Sequence, residues 1–91
     1  MASIRNDMDD IVHQLCTNAE FNADDMRVAI KSGDTDAARV AALNMLERVS
    51  AARGVVSLGH AQGAVTTGAS HQIGKLRTAE DRAWTLLTGV K

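Results

Sequence analysis

The sequence predicts an all-α fold: a small helical hairpin or a three- to four-helix bundle, as a single domain over residues 1–91. Three observations carry this. Every apolar pattern recurs at a helical period, and no β-branched run alternates over the length of a strand. Proline is absent, while Ala, Leu, Met, Arg and Gln are plentiful, a mixture that favours helix. Lys31-Ser32-Gly33-Asp34 reads as one helix ending and the next beginning. Glycine suits the left-handed position past a helix C-terminus, and an aspartate carboxylate accepts from the free amides of a first turn.

The first helix starts after Ser3, with Asp7, Asp9 and Asp10 near its positive end. Ile4, Met8, Ile11, Val12, Leu15 and Ala19 define its buried face, and Ala23, Met26 and Ile30 continue it if the helix is unbroken. A kink or break near Asn18–Asn22 is favoured over one rod from 4 to 32. Asn is a poor interior helix residue and a good cap, and Asn22 with Asp25 makes a capping pair. Phe21 and Val28 lie seven apart and away from the main face. They are expected to pack on a neighbouring helix, with partner binding as the alternative.

The central helix, from Asp34 to Val56, organises the chain. Ala38, Ala42, Met45, Val49, Ala52 and Val56 follow steps of four and three and form one narrow stripe. Half of the stripe is alanine, which lets another helix approach closely. Gly54, Gly59, Gly63, Gly68 and Gly74 then interrupt the second half, each costing about 1 kcal/mol in a helix interior. The helix is expected to end between Leu58 and Ser70, with Thr66-Thr67-Gly68 as the turn. A last helix from about Ser70 to Thr88 has Ala69, Ile73, Leu76, Ala83, Trp84 and Leu87 on its apolar face, and Thr78 with Asp81 can restart it. The alternative is a long C-terminal helix running through the glycines, with Gln72 and Glu80 as polar core positions that set register.

The core inventory is thin. Apolar residues make up 45% of the chain, yet there is one Phe, one Trp and no Tyr, and alanine removes little surface from water. A chain of this length buries only about 60–65% of its unfolded surface. A homo-oligomer is therefore expected, its core drawn from Ala38, Ala42, Met45, Val49, Ala52, Val56, Gln72 and Glu80. Glu80 sits among Ile73, Leu76, Ala83, Trp84 and Leu87, so either Arg77, Arg53 or His60 meets its carboxylate, or it reaches water at the rim.

Charge is uneven. Residues 1–47 carry four basic side chains against nine carboxylates, a net −5; residues 48–91 carry six against two, a net +4. From Arg48 to Ala79 there is no carboxylate, which points to an anionic partner or to subunits stacking acidic half on basic half. Within that stretch His60, Thr66, Thr67, Ser70, His71, Lys75 and Arg77 accompany the glycines, and exposed amides with basic groups can cradle an anion. Ala69–Leu76 has the length of a P-loop, but its first glycine is Ala69, its hydroxyl position is Leu76, and no strand precedes it. His60 and His71, eleven apart, share a face only if the helix is continuous.

Other chemistry has weaker support. Asp9, His13, Cys16 and Glu20 follow steps of four, three and four on one polar face, but no second set of metal ligands matches them. No metal or other cofactor is expected. Cys16 beside His13 on an exposed helix has neither cleft nor oxyanion hole. Few basic residues, an absence of stacking aromatics and a sequence pI of 6.2 argue against specific nucleic-acid recognition. One cysteine, no secretory signal and no spanning segment fit a cytoplasmic protein that makes no membrane contact. The resulting expectation is a non-enzymatic, homo-oligomeric protein-interaction module: an adaptor, chaperone, assembly factor or inhibitor. The alternative is an oligomeric binder of a small anionic ligand such as a nucleotide, through residues 54–79.

Overall fold

In the computed structural model, residues 4–63 and 67–89 are described, with side chains over 7–63 and 68–89. They form four helices in the order α1 (Ile4–Lys31), α2 (Thr35–Ala61), α3 (Thr67–Gly74) and α4 (Arg77–Thr88). No strand occurs among them, and none of these helices is long and apolar enough to cross a membrane.

The α1–α2 turn follows from its sequence atom by atom. Gly33 takes φ +74°, which a Cβ would disfavour. Its amide donates to Ile30 O at 3.1 Å, and that of Asp34 to Ala29 O at 2.9 Å, the two bonds of a Schellman motif. The Asp34 carboxylate then accepts from Ala37 N at 3.0 Å, opening α2. Four residues reverse the chain and satisfy both helix ends.

The two long helices pack along their whole length. Val12, Cys16, Ala19 and Met26 from α1 meet Ala41, Ala42, Met45, Val49, Ala52 and Val56 from α2 in one core cluster, completed by Ala69, Ile73, Leu76 and Ala83. The α2 stripe is thus buried inside the chain itself: Ala38, Ala42, Met45, Val49 and Ala52 are closed off by α1 and the C-terminal helices, and Val56 nearly so. Its alanines accommodate α1 rather than a second subunit.

Several expectations are corrected. Residues Asn18–Asn22 do not break the first helix; α1 is one rod through Lys31. Continuous burial of Val12, Cys16, Ala19 and Met26 against α2 outweighs the helix propensity of asparagine. The burial leaves Asn22 Oδ1 enclosed with no hydrogen-bond partner. Ile11 and Ile30, assigned to the buried face, are exposed at its edges. No long C-terminal rod forms either. α2 stops at Ala61, as Gln62 N bonds Gly59 O and Gly63 N bonds His60 O, with Gly63 at φ +65°. A turn lies at Gln62-Gly63, and of the expected Thr66-Thr67-Gly68 turn Thr67 and Gly68 already belong to α3; Thr66 is outside the described residues. A second interruption at Lys75-Leu76 splits the last helix, and α4 restarts at Arg77 without a side-chain cap at Leu76.

α3 and α4 fold back over one side of the hairpin. The radius of gyration is 14.4 Å and the principal extents are 48, 24 and 16 Å. A compact chain of this length has a radius near about 12 Å, so the molecule is a rod that leaves much of each long helix open.

Candidate functional site

The most ordered polar arrangement joins α2 to α4. Arg53 donates through Nη1 to Glu80 Oε2 at 2.6 Å and through Nη2 to Oε1 at 2.5 Å. Both carboxylate oxygens are thereby satisfied in a fork-to-fork geometry. Glu80 is 6% exposed, whereas 54% of the Arg53 side chain remains open. Glu80 therefore meets one of its three candidate cations, Arg53. Of the other two, Arg77 is exposed at the start of α4 and lines the same hollow as Glu80, and His60 is exposed at the end of α2. The hydrogen bond to Glu80 holds the Arg53 guanidinium above its ordinary pKa, against the opposite pull of burial. The pair is a clasp that pins α4 to the hairpin.

A second cross-helix bond ties α3 to α1. Gln72 Nε2 lies 2.8 Å from His13 Nδ1, within hydrogen-bond distance. Gln72 is half-buried on the α1 side.

The residues proposed to bind an anion do not converge on one cradle. His60 and Ser70 line an open depression of 370 Å³ with Arg53 and Ser57. Arg77 lines a neighbouring hollow with Arg53, Gly74 and Trp84. Lys75 lines a different hollow, with Ala23 and Asp24 of α1. His71 is exposed on α3. Because α2 ends at Ala61, His60 and His71 belong to different helices and share no face. Thr67 opens α3, and its side chain, like Thr66, falls outside the described set.

The four-residue polar face on α1 also dissolves. Cys16 is buried in the core, while His13 and Glu20 point outward. Among the described residues no group of three His, Cys, Asp or Glu side chains could hold a metal. Burial, with the nearby Glu20 charge, pushes the Cys16 thiol above its ordinary pKa of 9.0. The folded state thus keeps the thiol proton where the unfolded chain releases it. Stability from this residue is present below pH 9.0 and is lost as pH rises beyond it. Chemical denaturation on either side of that pH should show a steeper alkaline loss for wild type than for Cys16→Ala. Alkylation of Cys16 should be slow until the protein unfolds.

The largest side chains are placed unexpectedly. Phe21 is 63% and Trp84 55% exposed, and Val28 is open as well. Phe21 and Val28 find no neighbouring helix to cover them, because the α1 rod keeps them on its outer side. Trp84, expected on the apolar face of α4, sits past its edge beside Arg53 and Arg77. Val40, Leu43 and Leu58 form an outer face of α2 that the stripe analysis missed. The available signal was that α2 is apolar around most of its circumference, which a surface helix rarely is. Comparison with protein-family models, with curated proteins and with solved structures returns no match.

Proposed function

We propose that the protein is a non-enzymatic helical interaction module that works as a homo-oligomer and binds another protein. The carrying observation is where side-chain size is spent. The largest fully buried side chains are Met26, Met45, Val12 and Val49, while both aromatic residues, Phe21 and Trp84, stand in solvent. Exposed aromatics are the side chains that most often anchor interfaces. Phe21 and Val28 on α1 are the partner-binding pair of this reading. A cytoplasmic setting fits its single, buried thiol.

Sedimentation equilibrium at high micromolar concentration should give a mass above that of the 9.7 kDa chain. A monomer there would overturn the oligomer. For the partner, a protein retained by the immobilised chain and lost with Phe21→Ser/Val28→Ser supports the assignment; retention by both removes these two residues from it.

Binding of a small anionic ligand is the second reading, and it keeps one specific observation: His60, Ser70 and Arg53 line a common depression. A nucleotide held at 100 times its dissociation constant would raise stability by about 2.7 kcal/mol. A thermal-shift panel without any such rise eliminates it.

A further inference from the structure

We propose that the outer face of α2 is a self-association surface, on which a second copy of this chain packs antiparallel about a two-fold axis near Arg48–Ser50. The inference rests on the homo-oligomer reading and adds to it the face and the register. The face consists of Val40, Leu43, Glu47, Ala51, Gly54 and Leu58, all exposed. At 100° per residue they fall within an arc of about 80° and span about 27 Å of helix. The three large members are 60%, 51% and 54% exposed in chain order.

Three features select a second copy as the occupant. The first is the register. An antiparallel pairing centred between residues 48 and 49 sets Leu43 against the second copy's Gly54 and brings Val40 and Glu47 within one residue of its Leu58 and Ala51. Each large side chain meets an apolar or small one, and the pattern is its own complement, as a two-fold interface requires. The central turn carries one acid and one base, Glu47 and Arg48, so the axis gathers equal numbers of opposite charges.

The second feature is Gly54. It sits inside α2 in helical conformation, and a Cβ there would meet nothing within 4 Å. The chain's own packing gives no reason for glycine at a position where alanine favours helix. A large side chain arriving from another helix does give one, since glycine leaves the hole that Leu43 of a second copy would fill.

The third feature is area. The chain exposes 5912 Å², against about 5,100 Å² for a compact monomer of its mass. The excess, about 800 Å² over the whole rod, is of the order that one partner contributes to an interface of standard size.

Sedimentation equilibrium of the full chain tests the face, with circular dichroism confirming that each variant stays helical. Wild type is expected to be a dimer. Leu43→Glu and Gly54→Leu should each weaken association by about 100-fold or more, while Ile11→Glu, at an exposed position of α1, leaves it unchanged. Gly54→Leu is the sharper variant, because it improves helix propensity and harms only a close approach. A wild-type dimer that survives both α2 substitutions overturns this face and leaves the oligomer reading standing. A wild-type monomer at high micromolar concentration overturns both, and assigns the face to a different protein chain.

Discussion

Replacing Met45 with alanine is expected to cost about 2–5 kcal/mol of stability, measured by urea denaturation. Met45 is 0% exposed and lies among Ala41, Ala42, Val49 and Ala52 in the α1–α2 core. Alanines are too short to move into the space that its side chain leaves, so the cavity stays open and the cost falls toward the upper end. A domain of this length has only about 5–14 kcal/mol in total, so much of the population could unfold. Met45→Leu, which conserves volume, should lose less than about 1.5 kcal/mol. Equal losses for the two would mean that the site has no tight packing.

The second large effect is an asymmetry across the clasp. Arg53→Met strands a carboxylate that is 6% exposed and should cost about 3–5 kcal/mol. Glu80→Gln leaves a guanidinium that is already half open to water; it can rehydrate, and the loss should stay near about 1 kcal/mol. The double variant Arg53→Met/Glu80→Leu should recover most of the difference, because no charge is then left buried. Denaturation of the three variants checks the order, and a Glu80→Gln loss as large as that of Arg53→Met would contradict the one-sided burial of the pair.

How much of this was legible depended on how local the determinants were. The Lys31–Asp34 reversal could be read in full, since a left-handed glycine and an aspartate cap act within one turn. The buried stripe of α2 was equally plain from its spacing. Helix continuity at Asn18–Asn22 was not, because the local preference of asparagine points one way and packing along Val12–Met26 points the other. The C-terminal segments were misjudged in a related manner. On α4, Glu80, Ala83 and Leu87 share one side and Trp84 lies past its edge, so grouping Trp84 with its neighbour Ala83 made the apolar face too wide. The need for a cation at Glu80 was visible in its apolar neighbours. That the cation would be Arg53, 27 positions away, required the fold-back at Gln62-Gly63. The candidate anion residues show the limit most clearly: proximity in sequence grouped Ser70, His71, Lys75 and Arg77, and α3 with the turn after it spreads them over three directions.

The tight α1–α2 turn also governs how the chain reaches its fold. Only three residues separate the two long helices, so the contacts nearest the turn close small loops at little entropic cost. Pairing that begins around Met26 and Ala38–Ala42 can then advance, one helical turn at a time, toward Val12 and Val56. Each step is local once the previous one has formed, which keeps the search short and the folding of the hairpin fast. α3 and the start of α4 need the far end of that hairpin as a template, because Arg53 and the core around Val56 lie there. The rest of α4 runs back toward the turn, where Arg82 lines a hollow with Arg27 and Lys31. α3 and α4 should dock last, and the clasp closes on a surface already built.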